Sequence, residues 1–325
     1  VSEDGLLRWL RARLDPCLIG DDAAVLPAGG PFAVTVDSQI AGIHFVADLD
    51  PALLARRLLA VNLSDLAATG AEPAYAFLAL STQRDFDHRR FFRAFLDACR
   101  SFNTLLAGGD LARSPAGTVA TLTLIGTRPP DGAFLDRGGA RPGHALWLGG
   151  TIGESAVGQR WIARGARLLG RRVELPDDRT MSPTVAAVAR RAVRRHLCPQ
   201  PQLVLGQWLG QQPADHRGAA MDVSDGLAID LRRLCRASGV GAEIREEALP
   251  FADRFDEACR ELGADPLALA LGGGEDYVLL FTLPEGIEPA VSGARKIGRI
   301  TRSKQLTLRR EGVSQPLPAL GWDHL

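Results

Sequence analysis

The chain has 325 residues, 46% of them apolar and 23% charged, with 38 basic and 38 acidic side chains. That length predicts two domains, because single cores stop growing near ~250 to 300 residues, and the lack of a basic surplus speaks against a general electrostatic grip on nucleic acid or anionic membrane. No apolar run approaches the ~20 residues of a membrane span, and the first residues lack the basic-then-apolar pattern of a signal peptide, so a cytoplasmic address is expected.

Taken in chain order, Phe32 to Val36 reads as a strand. Asp50 to Ala68 reads as the best helix, with Asp50 as N-cap, Pro51 at the first helical position and Gly70 just past the end. A strand is expected over Ala74 to Leu80, a helix from about Asp87 to Phe102, and strands over Thr118 to Ile125, Ala145 to Leu148 and Tyr277 to Leu283. Further helical patterns run over Val185 to Leu197, Gly226 to Ala237 and Phe251 to Leu262. Strands and helices interleave without a strict βαβ rhythm, which favours α+β. The Pro-, Gly- and Arg-rich segment Gly126 to Gly143 holds the expected domain boundary, giving domains 1–137 and 138–325. Each half has an acidic strand end (Asp37; Asp222) followed by a Gly-Gly-acidic turn (Gly109-Asp110; Gly274-Glu275), a weak sign of related halves.

The five cysteines, Cys17, Cys99, Cys198, Cys235 and Cys259, form no CxxC pair and are expected to be reduced and mostly core. Only Lys296 and Lys304 are lysines, neither in a GxxxxGK[ST] sequence, so a Walker-type phosphate loop is excluded. Nucleotide chemistry here would use metal ions, backbone amides and arginine.

The informative feature is a series of carboxylates in small or apolar surroundings: Asp21-Asp22 after Gly20, Asp37 after Thr35-Val36, Asp65 after Asn62, Asp110 after Gly108-Gly109, and Asp222 and Asp225 around Ser224. No Lys or Arg stands between Asn62 and Glu72 or between Gly218 and Leu231. Buried unpaired carboxylates must protonate or bind cations, and hard oxygen-seeking ions such as Mg²⁺ suit them. The plainer reading is that each Asp caps a helix or starts a turn. The adjoining glycines permit close approach to phosphate oxygens, and a helix beginning after Gly226 would turn its N-terminus toward them.

Gly20 to Leu26, Thr35 to Phe45, Val61 to Pro73, Gly108-Gly-Asp110, Arg137-Gly-Gly-Ala140 with Gly143, Met221 to Leu227, Gly273 to Tyr277 and Gly298 occur in this order over nearly the whole chain. Together they resemble the thiamine-monophosphate kinase family, of the ATP-binding superfamily that includes aminoimidazole ribonucleotide synthetase and selenophosphate synthetase. The resemblance implies a two-domain α+β fold of the aminoimidazole ribonucleotide synthetase kind, a homodimer formed through the N-terminal sheet, and Mg²⁺-dependent transfer of the ATP γ-phosphoryl group to thiamine monophosphate. It further implies Asp22, Thr35, Val36 (through its backbone), Asp37, Asp65, Asp110, Asp222 and Asp225 as metal ligands, with Asp65, Asp110 and Asp225 central to catalysis. Gly109, Asp110, Arg137 and Ser224 would contact the nucleotide, and His44, Glu275 and Trp322 the thiamine phosphate. Leu111 stands where the family's pattern has threonine, and His144 where it has aspartate.

Without the resemblance, His44 reads as a hydrogen-bonded core residue, Arg137 as a solvated loop charge and Trp322 as a C-terminal anchor or a stacking surface. The remaining histidines read as surface residues, and Arg190 to Arg195 as a solvated helix face. Two other functions compete with the kinase. Another ATP-dependent synthetase of the superfamily would differ in its substrate pocket, and a non-catalytic nucleotide- or metal-binding regulator would release no ADP.

Overall fold

The computed structural model describes Arg13, residues 30–176 and residues 181–322. The chain divides into two compact units, one made of residues up to Leu66 together with Ala71–Arg128, the other of Ala67–Gly70 with the residues from Pro129 onward. The division falls inside the Gly126 to Gly143 stretch.

The first unit runs β1 (Phe32–Ile40), α1 (Pro51–Thr69), β2 (Glu72–Thr82), α2 (His88–Ser101), β3 (Leu105–Arg113) and β4 (Val119–Thr127). Asp50 caps α1 as its sequence predicts, accepting from the Ala52 N–H at 2.8 Å. Gly70, at φ +71°, ends it. The strands form one sheet in the order β1-β4-β2-β3, antiparallel except for β2 and β3.

The pleat gives this sheet two different faces. One row runs Thr35, Leu124, Ala76, Leu106 across the strands, and the next runs Asp37, Leu122, Leu78, Gly109. Their leucines and Ala76 are buried, as are Leu58, Leu59 and Leu63 of α1 and Phe91, Phe92 and Phe95 of α2. The opposite face carries the row Val34, Ile125, Tyr75, Leu105, with Val34 60% and Leu105 49% exposed.

The second unit runs β5 (Ala145–Leu148), α3 (Glu154–Ala163), the hairpin β6 (Arg167–Leu169) and β7 (Arg172–Glu174), α4 (Pro183–Leu197), α5 (Leu203–Gly210), β8 (Ala220–Asp222), α6 (Leu227–Ser238), β9 (Gly241–Arg245), α7 (Phe255–Glu261), α8 (Pro266–Gly272), and β10 (Leu279–Leu283), β11 (Arg295–Thr301), β12 (Leu306–Arg310) and β13 (Val313–Pro316). Seven strands make one sheet, β13-β12-β9-β11-β5-β10-β8. Its central strands β5 and β10 are buried throughout. Leu146, Leu148 and Leu280 join a core with Leu227, Leu231 and Leu234 of α6, while Ala145, Trp147, Leu279 and Phe281 join another with Leu205 and Leu209 of α5. Packing on both faces is why these strands read as unbroken apolar runs.

Several expectations are corrected. Gly109-Asp110 is not in a turn but inside β3, where the pairing with β2 slips between Ala76 and Phe77. The helix expected over Phe251 to Leu262 is only Phe255–Glu261, its start fixed by Arg254 at φ +56°. His144 and His196 are buried, at 8% and 5% exposure. The face of Arg190 to Arg195 is not simply solvated: Arg191 pairs with Glu154, and Arg195 donates to the Asp276 carbonyl at 2.7 Å.

Candidate active site

In the first unit, Asn62 and Asp65 lie one turn apart on α1 and both reach β1. Asn62 is fully buried; its Nδ2 donates to the Leu58 carbonyl at 2.8 Å, and its Oδ1 accepts the Asp37 N–H at 3.1 Å. Thr35 Oγ1 donates to Asp65 Oδ2 at 2.5 Å. Thr35, Asp37 and Asp65 are thereby brought together on the helix-covered side of the sheet. Val36 alternates to the open side and is 57% exposed, opposite Thr123. Asp110 is exposed and pairs in register with Ala79, next to Thr121, so the pleat places it on the open side as well. The pleat thus sets Asp110 on the face opposite Thr35 and Asp37. Asp21 and Asp22 lie outside the described residues.

Gly109 has a structural reason to be glycine. A Cβ there would stand 2.0 Å from the Leu78 carbonyl oxygen, at φ +157°. His44 is half-buried, and its Nδ1 accepts the Ile40 N–H at 3.1 Å, which leaves the ring proton on Nε2.

In the second unit, main-chain hydrogen bonds join three loops. Glu275 N–H donates to the Ser224 carbonyl at 2.6 Å, Tyr277 N–H to the Val223 carbonyl at 2.9 Å, and Trp322 N–H to the Asp225 carbonyl at 2.9 Å. A Cβ on Gly274, at φ +67°, would meet the Ser224 carbonyl oxygen at 2.7 Å, so this approach requires glycine. Ser224, Asp225, Glu275 and Trp322 are therefore neighbours. Glu275 and Tyr277 both take left-handed backbone angles, φ +56° and +50°, a costly conformation concentrated at this loop. The loop is held from below. Asp276 is buried and accepts the N–H groups of Gly153 at 2.7 Å and Ser155 at 3.2 Å, capping α3 in place of a local side chain. Burial pushes its carboxyl up to about 6.

His196 Nδ1 lies 3.3 Å from Glu275 Oε2 and 3.1 Å from Ser155 Oγ. Both contacts use one ring nitrogen, so this is a positioning cluster and not a nucleophilic triad, which needs one partner on each nitrogen.

The stretch without basic residues does not leave these carboxylates without an arginine partner in this unit. Arg233, two residues beyond the segment free of basic residues, bonds Asp225 Oδ2 at 2.5 Å and Asp230 Oδ1 at 2.8 Å. The helix N-terminus is likewise taken: Asp230 Oδ2 accepts the N–H groups of Ser224, Asp225 and Gly226 at 3.0 to 3.2 Å. Asp230 is wholly buried there, its carboxyl pushed up by that burial. Asp222 is also buried, 4% exposed, at the end of β8. Arg137 is exposed, and its carbonyl accepts from Ser238 Oγ at 2.7 Å. Ser238 ends α6, about 18 Å from the end bearing Ser224 at 1.5 Å per residue.

Among the described residues, no three His, Cys, Asp or Glu stand together as a metal cage. The available donors are carboxylate and hydroxyl oxygens, and Mg²⁺ is ordinarily held by one or two carboxylates with water and substrate phosphates. The donor set fits a hard divalent ion whose remaining positions are filled by water or by nucleotide phosphate. Arg233, Asp230, His196 and Asp276 were not singled out from sequence. His196 had a signal, continuing the buried series Val185, Val188, Ala189, Ala192 and Val193 of α4 at helical spacing.

Residues 20–127 match the family model described as AIR synthase related protein, N-terminal domain. The chain is 38% identical to the thiamine-monophosphate kinase of Escherichia coli (strain K12), over 96% of this chain and 93% of that protein. Among solved structures it is similar to the thiamine-monophosphate kinase from Stenotrophomonas maltophilia K279a, with 31% identity, a TM-score of 0.75, and 95% and 96% of the two chains covered. It is also similar to AaThiL complexed with AMPPCP and TMP, with 28% identity, a TM-score of 0.77, and 99% and 97% covered. The fold is the two-domain mixed α/β architecture shared by these proteins.

Proposed function

The chain belongs to the thiamine-monophosphate kinase family, and from that premise we propose that it is a phosphotransferase that moves the ATP γ-phosphoryl group onto thiamine monophosphate, forming thiamine diphosphate. The observation that carries this reading is the joining of the Ser224-Asp225 loop to Glu275 and Trp322 by main-chain hydrogen bonds. An acidic, hydroxyl-bearing loop suited to metal-bound phosphate thus adjoins an aromatic surface suited to a heteroaromatic ring.

In this reading Trp322, 58% exposed, offers its indole face to the thiamine ring while its backbone stays pinned to Asp225. Glu275, held by His196, faces the same substrate, and the Nε2 proton of His44 is a donor for its phosphate. Ser224 and, on the first unit, the Gly109 backbone contact the nucleotide. Arg137 and Ser224 touch one nucleotide only if it lies along α6. In the first unit Thr35, Asp37 and Asp65 would hold Mg²⁺, with Asp110 a separate ligand on the open face, and in the second unit Asp222 and Asp225 would do so; the ion supplies charge neutralisation between the two phosphate groups. No general base is required, because a phosphate monoester is already largely doubly ionised above its second pKa of about 6. As an ATP-consuming step it belongs in the cytoplasm.

The open face of the first sheet supports a homodimer. A coupled assay for ADP tests the function: release is expected with thiamine monophosphate and not with free thiamine, whose hydroxyl offers neither charge nor an ionised nucleophile. ADP release at equal rates from both would refute it.

A further inference from the structure

We propose that Arg233 is a positioning residue that occupies Asp225 until a divalent cation takes its place. This rests on the reading of Asp225 as a metal ligand. The geometry is a three-residue relay at the start of α6, with Asp225 in the loop before the helix and Asp230 and Arg233 one turn apart on it. Asp230 has no exposed surface, and one of its oxygens gathers the three N–H groups of Ser224, Asp225 and Gly226. Its other oxygen accepts from Arg233 Nη1 at 2.8 Å, and the same nitrogen reaches Asp225 Oδ2 at 2.5 Å.

The two carboxylates differ in what Arg233 does for them. Asp230 keeps three backbone partners if the guanidinium leaves, so its charge stays compensated. Asp225 is 15% exposed, and a cation is the natural replacement for the arginine it would lose. Arg233 itself is 38% exposed and can swing to solvent or toward incoming phosphate without being stranded. Asp230 fixes the loop's backbone, while Arg233 fixes the rotamer of Asp225 and competes for it. Metal binding at Asp225 is then an exchange of one cation for another, and the site keeps its net charge low before the nucleotide arrives.

The test is a titration of the full chain with Mn²⁺, a hard-oxygen stand-in for Mg²⁺, followed by loss of the free-ion EPR signal. Removing the competitor in Arg233→Gln should tighten Mn²⁺ binding about three- to fivefold, the scale of a partly exposed ion pair. Arg233→Lys, which keeps the charge but not the fork, should fall between the two. Arg236→Gln removes an exposed positive charge from the same helix and should leave binding within about twofold of the parent, screening by solvent being strong there. Asp225→Asn should weaken binding, and the gain from Arg233→Gln should vanish when the two are combined.

Unchanged or weaker binding in Arg233→Gln, an equal gain in Arg236→Gln, or a gain that survives Asp225→Asn would overturn the exchange while leaving the metal reading in place. Parent-like binding in Asp225→Asn, or no binding by the parent, would overturn the metal reading and the exchange with it.

Discussion

Asp276 combines full burial with two backbone donors, and the balance between them sets a pH dependence. Its carboxyl ionises near 3.8 in an ordinary setting and at about 6 in the folded chain. Below the lower value both folded and unfolded chains hold the proton. Between the two, the unfolded chain releases it while the folded chain keeps it, so stability falls as pH rises; above the higher value the penalty is constant. The stability of the parent minus that of Asp276→Asn should therefore drop by roughly 2 to 2.5 kcal/mol from pH 4 to pH 7, each pK unit being about 1.4 kcal/mol. Denaturant unfolding of both proteins across that range measures it, and a flat difference would contradict the assignment. Trp322 is the opposite kind of residue, with its side chain exposed and its backbone bonded to the Asp225 carbonyl. Trp322→Ala should leave the melting temperature nearly unchanged and raise the KM for thiamine monophosphate roughly 5- to 10-fold, ring stacking being worth about 1 kcal/mol or slightly more. Steady-state kinetics should show the KM for ATP unmoved. An equal rise for both substrates would detach Trp322 from the thiamine side.

At the scale of elements, β3 shows how one glycine serves packing before chemistry. Because β2 runs parallel to β3 and the register slips at Ala107, the Leu78 carbonyl lies where a side chain at position 109 would begin. Gly109→Ala should cost at least about 2 to 3 kcal/mol, as overpacking against backbone cannot relax by a rotamer change. A lowered melting temperature would accompany any loss of activity, whereas a stable but inactive variant would assign Gly109 to the nucleotide alone. Sequence alone shows two glycines there and reads a turn, since the partner strand that demands them lies elsewhere in the chain. The start of α3 was illegible for a related reason: its cap is Asp276, 123 residues beyond Gly153. By contrast α1 announces itself, because Asp50, Pro51 and Gly70 act within the helix's own length. The carboxylates of the site were visible one by one. Their counter-charge was not, because Arg233 stands eight residues from Asp225 and reaches it only once α6 has formed.

At the scale of the whole molecule, the described residues of the first unit present a surface that the unit's own packing does not cover. In the first unit the leucines and Ala76 of the helix-covered rows are buried, yet the row Val34, Ile125, Tyr75 and Leu105 on the other face is continuous across all four strands, and Phe32 and Val36 extend it along β1 at 44% and 57% exposure. A sheet with one solvated face ordinarily alternates apolar inward with polar outward, and β1 instead places Phe32, Val34 and Val36 on the outward side. Contiguous exposed apolar area of this kind marks an association surface, and the homodimer proposed above would use it, since a twofold interface sets one patch against its own copy. Asp110 lies on this same face, so a dimer formed there would draw it into the interface, away from Thr35, Asp37 and Asp65 of its own chain. Val34→Glu sets two carboxylates against an apolar partner surface and should convert the dimer to monomer at micromolar concentration, with kinase activity falling alongside because Asp110 loses its setting. Sedimentation velocity of parent and variant decides it: a monomeric parent, or a variant that stays dimeric and fully active, would place the interface elsewhere and leave the apolar row without a partner.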